Sequence, residues 1–173
     1  MTKVGIFFST TTGNTELAAE RIEEILGGDV SVELNDVYES DVADMADYDV
    51  LILGSSTWDT GDLSADWLQV AGDLENFDFS GKSVAVFGYG DAFGYPDWFC
   101  DAVGILHDTA KAGGARIAGH TSTSGYSGYA SSAKSLINGS TFAGLCLDDD
   151  NQPELTDGRI RAWCRQIRSE IGF

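Results

Sequence analysis

Positive charge is scarce in this sequence. Ten Lys and Arg residues face 28 Asp and Glu over 173 residues, a formal net charge of −18. That balance speaks against nucleic acid or an anionic membrane as a partner, since both call for a basic face. The scarcity is also local. From Gly28 to Ala115 there are 18 acidic side chains and two basic ones, Lys82 and Lys111, while Arg159, Arg161, Arg165 and Arg168 crowd the last fifteen positions. An acidic surface serves solubility or salt tolerance, or it steers the chain toward basic partners, a rate effect that salt weakens. Long apolar runs are missing too. No segment approaches a bilayer span, and Met1-Thr2-Lys3 before a strand-like run is not a signal peptide, so the expected compartment is the cytoplasm.

Other absences narrow the chemistry. Cys100, Cys146 and Cys164 are odd in number and form no CxxC, which reads as small buried hydrophobes in a reducing compartment. His107 and His120 are isolated in sequence. His107 is expected on a helix surface beside Asp108 and His120 at a strand end, and neither has the neighbours of a metal site or a triad. Asp148–Asp150 lacks calcium-loop spacing and reads as a solvated acidic face. No G-x-x-x-x-G-K-[ST] occurs, and no G-x-G-x-x-G opens the first helix.

What is present is an apolar content of 43% in a chain of single-domain length, so residues 1–173 are expected to form one domain with a full core. Lys3–Ser9, Asp49–Gly54 and Lys82–Gly88 are continuous apolar runs of the kind found in parallel strands covered on both faces. Val30–Leu34 alternates as a shorter strand, and Asp41–Ala46 reads as a brief acidic helix. Helical periodicity marks Thr15–Leu26, Ser64–Leu74, Phe99–Ala112 and Thr156–Ile171, with Ile160, Trp163, Cys164, Ile167 and Ile171 on one face of the last. Arg116–Gly119 and Phe142–Leu147 both read as strand. The Ser/Gly/Tyr-rich stretch Thr121–Ser140 between them reads as an insertion loop with little regular structure. Strands alternating with helices predict an α/β fold: a three-layer, doubly wound, five-stranded parallel sheet of order 2-1-3-4-5, its last strand interrupted by the insertion. In such a sheet ligands bind beyond the carboxyl ends of the strands, where strand order reverses. Three loops should converge there: Ser9–Thr15, Ser55–Asp62 and Tyr89–Asp97.

The first loop, Ser9-Thr10-Thr11-Thr12-Gly13-Asn14-Thr15, has five hydroxyls and no basic neighbour from Val4 to Glu20. It suits an anion held by backbone N–H groups and the dipole at a helix N-terminus, and it equally suits a plain Ser/Thr-rich cap. The second loop carries Trp58 among polar residues, and the third carries Tyr95 in a Gly-rich setting. Each ring alone has an ordinary reading, Trp58 folded on the core and Tyr95 starting a turn with Pro96. Beside an anion loop at the switch point, the two together favour a sandwich around a planar ligand.

With these segments in place, the chain resembles a long-chain flavodoxin over nearly its whole length. The carrying residues are Ser9–Thr15, Thr57-Trp58-Asp59-Thr60-Gly61, Gly88-Tyr89-Gly90-Asp91, Gly94-Tyr95-Pro96-Asp97 and Asp148-Asp149-Asp150-Asn151-Gln152. Thr121–Ser140 resembles the insertion of the long-chain type. The resemblance implies non-covalent FMN, its phosphate held by Thr10–Thr15, its ring flanked by Trp58 and Tyr95, its pyrimidine edge bonded by Asp91 and the backbone at Gly90. It implies cofactor contacts at Ser9, Thr10, Thr11, Thr12, Gly13, Asn14 and Thr15. It adds Ser56, Thr57, Trp58, Asp59, Thr60 and Gly61, and Gly88, Tyr89, Gly90, Asp91, Tyr95 and Asp97. The Asp59–Thr60 peptide would face flavin N5 and reorient on one-electron reduction, at some strain because Thr60 is not Gly. Asp59, Asp62, Asp91 and Asp97 would disfavour added negative charge and keep the potential low. The implied function is a monomeric one-electron carrier, not an enzyme. Its partners would be basic redox proteins such as a ferredoxin–NADP reductase, a photosystem or another low-potential reductase. The alternative is an FMN-dependent NAD(P)H–quinone reductase of the same fold, for which no basic cluster near the loops awaits a dinucleotide. A phosphoacceptor domain would want an acidic pair after the first strand, where Ser9-Thr10 stands instead. Trp98 departs from the polar residue more usual after Tyr-Pro-Asp; it either packs over the third loop or belongs to a docking surface.

Overall fold

The apolar runs become the strands of one twisted sheet. In the computed structural model, which describes residues 1–28 and 30–173, the chain begins with β1 (Lys3–Ser9), α1 (Asn14–Leu26), β2 (Ser31–Asp36) and β3 (Val50–Trp58). It continues through β4 (Asp62–Leu63), α2 (Ala65–Asn76), β5 (Ser83–Tyr89), α3 (Asp101–Ala112) and β6 (Arg116–Ile117). Then come β7 (Thr121–Ser122), β8 (Leu136–Asn138), β9 (Thr141–Phe142), β10 (Leu145–Leu147) and α4 (Thr156–Ile171). The principal strands lie in the order β2-β1-β3-β5-β10, all parallel, with Ile6 beside Leu34 and Ile52, and Ile52 beside Ala85. The expected doubly wound topology holds, including its broken fifth strand. The start of β5 pairs with β6 (Val84 beside Ile117) and its end pairs with β10 (Leu145 beside Phe87), so the two pieces share one edge.

Alternation along each strand divides the core in two. Val4, Ile6, Phe8, Val50, Ile52, Ala85 and Phe87 meet Ala18, Ala19, Ile22 and Leu26 of α1 and Ile160, Trp163, Cys164 and Ile167 of α4. On the opposite face Phe7, Leu51, Leu53, Val84 and Val86 meet Trp67 and Leu74 of α2 and Val103, Leu106 and Ala110 of α3. The two fully buried indoles each satisfy their N–H, Trp67 to the Gly54 carbonyl at 2.8 Å and Trp163 to that of Gly119 at 2.9 Å, so neither leaves an unpaired donor in the core. All three cysteines are free and buried, as expected; burial first raises the Cys164 thiol to about 12, which leaves it inert near neutrality.

Several sequence expectations need correcting. The stretch Thr121–Ser140 does have little regular structure, but its two short strands, β7 and β8, flank β9 in a small antiparallel sheet that the sequence did not show. Its core is aromatic. Tyr126, Tyr129 and Phe142 surround Phe99 at centroid distances of 6.2, 6.0 and 5.9 Å, and the Arg159 guanidinium lies 3.7 Å over the Tyr126 ring. Two- and three-residue strands leave too little alternation to register against so many Ser and Gly. The helix expected from Phe99 starts at Asp101, because Cys100 takes a left-handed backbone (φ 52) that ends the preceding Pro96–Trp98 turn. The brief helix after Ser40 is a 3-10 segment, Val42–Asp47, and the strand from Arg116 stops at Ile117.

Candidate functional site

The loops after β1, β3 and β5 do converge, on a cavity of about 620 Å³. Thr12, Asn14, Ser56, Thr57, Trp58, Asp59, Tyr89, Gly90, Asp91 and Tyr95 line it, joined by Trp98, Asp149 and Asp150. The cavity lies where strand order reverses between β1 and β3, the switch point from which ligand sites in open α/β sheets are built.

The first wall is the start of α1. Gly13, in a left-handed conformation (φ 93), turns the chain into the helix, and the Gly13 N–H donates to Thr10 Oγ1 at 2.9 Å. Among the described residues no side chain caps the helix, so its first-turn N–H groups remain available at the positive end of the dipole, beside Thr12 and Asn14. The hydroxyls of this loop divide their work. Ser9 is buried and donates to Asp66 Oδ2 at 3.1 Å, and Thr15 is buried with Oγ1 2.7 Å from Ser56 Oγ. Those two side chains brace the loop from behind. Thr11 is exposed and, with Thr10 and Gly13, shapes the turn without lining the cavity.

The second wall is a hairpin, where a loop was expected from Ser55. Thr57 and Trp58 extend β3 and pair with Leu63 and Asp62 of β4, so Trp58 stands at a strand end. β-Branched and aromatic side chains favour this pairing over a coil. The turn Asp59-Thr60-Gly61 closes with Gly61 N–H to the Trp58 carbonyl at 3.1 Å, and both Asp59 (φ 48) and Gly61 (φ 94) have positive φ. A side chain at Gly61 would meet Asp101 Oδ2 at 2.5 Å and Trp98 Cδ1 at 3.1 Å, so Trp98 packs against this turn. This contact is with the second loop, a placement that neither reading of Trp98 from sequence named, and Trp98 also lines the cavity. Thr60 and Gly61 form the turn but are not among the lining residues.

The third wall is the Gly88–Asp97 segment. Gly88 is buried within β5, against the Ser55 carbonyl, and lies behind the cavity. Tyr89 is 8% exposed on the floor, and burial, followed by the Asp149 charge, raises its phenol. Asp91 staples its own loop: its Oδ1 accepts from Gly94 N–H at 2.8 Å and from Asn151 Nδ2 at 2.9 Å. Burial pushes the Asp91 carboxyl upward, but the bonds from Gly94, Asn151 and Phe93 prevail and hold it below the usual carboxylate range. Asp97 was expected at the site and is elsewhere, exposed and accepting from Ser132 Oγ at 3.0 Å to tie the loop to the insertion. Asp62 is likewise outside the lining.

Sequence reasoning placed Asp148–Asp150 on a solvated face, and the structure moves them to the site. Asp148 is 2% exposed and accepts from Ala92 N–H at 3.2 Å and Asn151 Nδ2 at 2.9 Å, while Asp149 and Asp150 line the cavity. Partial burial, then repulsion from Asp91, Asp148 and Asp149, raises the Asp150 carboxyl. Two signals in the sequence pointed there: the run is one of the segments that carry the resemblance, and it lies just past the last strand, the edge where such sheets bind ligands. Four lining carboxylates and no lining Lys, Arg or His among the described residues make the cleft electronegative, with Trp58 37% and Tyr95 56% exposed at its rim. The arrangement offers a neutral anion seat, two aromatic surfaces and an acidic frame.

Fold and site therefore define a doubly wound α/β protein with a phosphate-suited helix terminus opening on an aromatic, acidic cleft. Comparison with known proteins agrees. The flavodoxin family profile matches residues 6–163. A flavodoxin of Nostoc sp. is 46% identical over 171 residues, covering 99% of this chain and 98% of its own. One from Haemophilus influenzae is 43% identical over 171 residues, covering 99% and 97%. The crystal structure of Fusobacterium nucleatum flavodoxin bound to flavin mononucleotide superposes with a TM-score of 0.90 at 34% identity, covering 98% of this chain and 99% of that one. The chain belongs to the flavodoxin family.

Proposed function

We propose that this protein binds FMN non-covalently in the cavity and works as a low-potential, one-electron carrier between redox proteins. One observation carries the reading: the uncapped N-terminus of α1 opens on the same cavity as Trp58 and Tyr95. An FMN phosphate finds backbone donors, a favourable dipole and the Thr12 hydroxyl there, without a fixed cation. Trp58 and Tyr95 offer stacking surface to the isoalloxazine. With the Asp91 carboxylate committed to Gly94 and Asn151, polar recognition of the ring edge falls to backbone groups near Gly90. The likeness to an FMN-bound relative supports the same assignment.

The flavin supplies reversible one-electron chemistry; the chain supplies binding, orientation and electrostatics. Asp59, Asp91, Asp149 and Asp150 surround the seat with negative charge that no lining cation among the described residues offsets, so a further negative charge is disfavoured and the bound electron is readily given up. The same acidic rim selects donors and acceptors with basic faces, such as a ferredoxin–NADP reductase, a photosystem or another low-potential reductase. A spectrally monitored reduction of the FMN-loaded protein tests the reading. Two separate one-electron steps, with no steady consumption of NADPH by the protein alone, support it. A single two-electron step, or sustained NADPH turnover, overturns it in favour of a reductase.

A further inference from the structure

The two histidines, isolated in sequence, meet in the fold. Their Nε2 atoms lie 3.1 Å apart, with ring centroids at 5.2 Å. His107 was expected at the surface, but on α3 it is 4% exposed, while His120 is exposed in the connection between β6 and β7. Neither lines the cavity described above. From this pair we infer a binding site for a divalent transition-metal ion that prefers imidazole, with Cu²⁺ the strongest occupant and Zn²⁺ next.

Three features support it. First, His107 Nδ1 is 2.8 Å from Asp108 Oδ1, a carboxylate–histidine arrangement that keeps the proton on Nδ1 and presents the Nε2 lone pair toward His120. Second, the spacing suits a shared ion: two nitrogens at this separation, each about 2.05 Å from a metal, subtend roughly 100° at it, between square-planar and tetrahedral angles. Third, both ligands are held while one side stays open to water. The His120 carbonyl accepts from Gln166 Nε2 at 2.6 Å and the adjacent Gly119 N–H donates to Glu170 Oε2 at 2.7 Å, which fixes the backbone, while the exposed ring admits an ion with its remaining water ligands.

Without metal, His120 Nε2–H donates to His107 Nε2. On binding, that proton shifts to His120 Nδ1, a change of tautomer without change of charge, and a small turn of the exposed ring brings both lone pairs to one point. The charged groups around the pair are Asp108 and Glu170, which favour a cation there, and Lys111, which opposes it. A bound ion would clamp α3 to the place where the fifth strand breaks for the insertion.

The test is a Cu²⁺ titration of the FMN-loaded protein in a non-coordinating buffer, repeated with Zn²⁺, on the wild type and on His120→Ala. Because His120 is exposed and its backbone bond to Gln166 does not need the ring, this variant keeps the fold. The expected result is one equivalent of tightly held Cu²⁺ with nitrogen hyperfine coupling in its electron paramagnetic resonance spectrum, weakened at least about tenfold in His120→Ala and released as protons compete. Zn²⁺ should displace it at higher concentration, and His107→Gln should weaken binding likewise and leave coupling to no more than one imidazole nitrogen. Equal binding by wild type and His120→Ala, or a spectrum with oxygen coordination alone, would overturn the site and point to the carboxylates of Asp91, Asp148 and Asp150 instead.

Discussion

Replacing Thr15 by valine tests how the anion seat is fastened to the rest of the cleft. Thr15 is in the first turn of α1 and fully buried; its Oγ1 lies 2.7 Å from Ser56 Oγ on β3, which is 9% exposed. This contact joins the loop suited to phosphate to the strand that ends in Trp58. Valine has nearly the same shape, so packing is kept while the Ser56 hydroxyl loses its side-chain partner. A buried hydroxyl left unmet costs about 1–3 kcal/mol. At about 2 kcal/mol, a chain of this size loses roughly 4–8 °C in Tm. Adding Ser56→Ala to Thr15→Val removes the unmet group, so the double variant should cost clearly less than the sum of the single changes. Urea unfolding of the flavin-free protein, followed by circular dichroism, gives all four corners of the cycle. A cost under about 0.5 kcal/mol for Thr15→Val alone, or strict additivity, would refute the coupling.

Two further outcomes follow from the geometry. Asp101 is buried at the start of α3, and although Lys134 N–H donates to it at 2.7 Å, burial prevails and raises its carboxyl. A carboxyl with a raised folded pKa binds more protons when folded, so its charged form destabilises the protein once pH rises through that value. Asp101→Asn keeps an acceptor for Lys134 and should therefore be stabilising at neutral pH, with the advantage vanishing in acid below the ordinary carboxylate range; denaturation at a series of pH values checks it. Thr60 sits between two positive-φ residues in the turn whose Asp59–Thr60 peptide, by the resemblance, would face flavin N5. Thr60→Gly lowers the cost of the reoriented peptide by about 1 kcal/mol, or roughly 40 mV for one electron, so the first reduction potential should rise by tens of millivolts. An unchanged potential would show that the turn does not rearrange.

Much of this protein was legible in its sequence because its strands are continuous apolar runs. Val50–Leu53 and Val84–Phe87 are buried on both faces, a pattern that forces a parallel sheet between two helical layers and thereby locates the switch point. From there the Ser/Thr loop, Trp58 and Tyr95 follow. The expected residues that do not line the cavity share a different cause. Ser9 and Thr15 have the same chemistry as Thr12, and only the direction of each side chain separates a brace from a lining group. Asp97 and Asp149 are both acids beside a loop, yet Asp97 accepts from Ser132 of the insertion while Asp149 lines the cavity. The meeting of His107 and His120 depends on where α3 crosses the edge of the sheet, thirteen residues apart in sequence and unreadable from spacing alone.

The central claim is that the free N-terminus of α1 holds a phosphate without a cation. Its most direct test is a pair of fluorescence titrations of the flavin-free protein, with FMN and with riboflavin, which differ only in that phosphate. Two charge-assisted hydrogen bonds contribute about 3 kcal/mol or more, so FMN should bind at least about 100-fold more tightly than riboflavin. Equal affinity for the two would contradict the account.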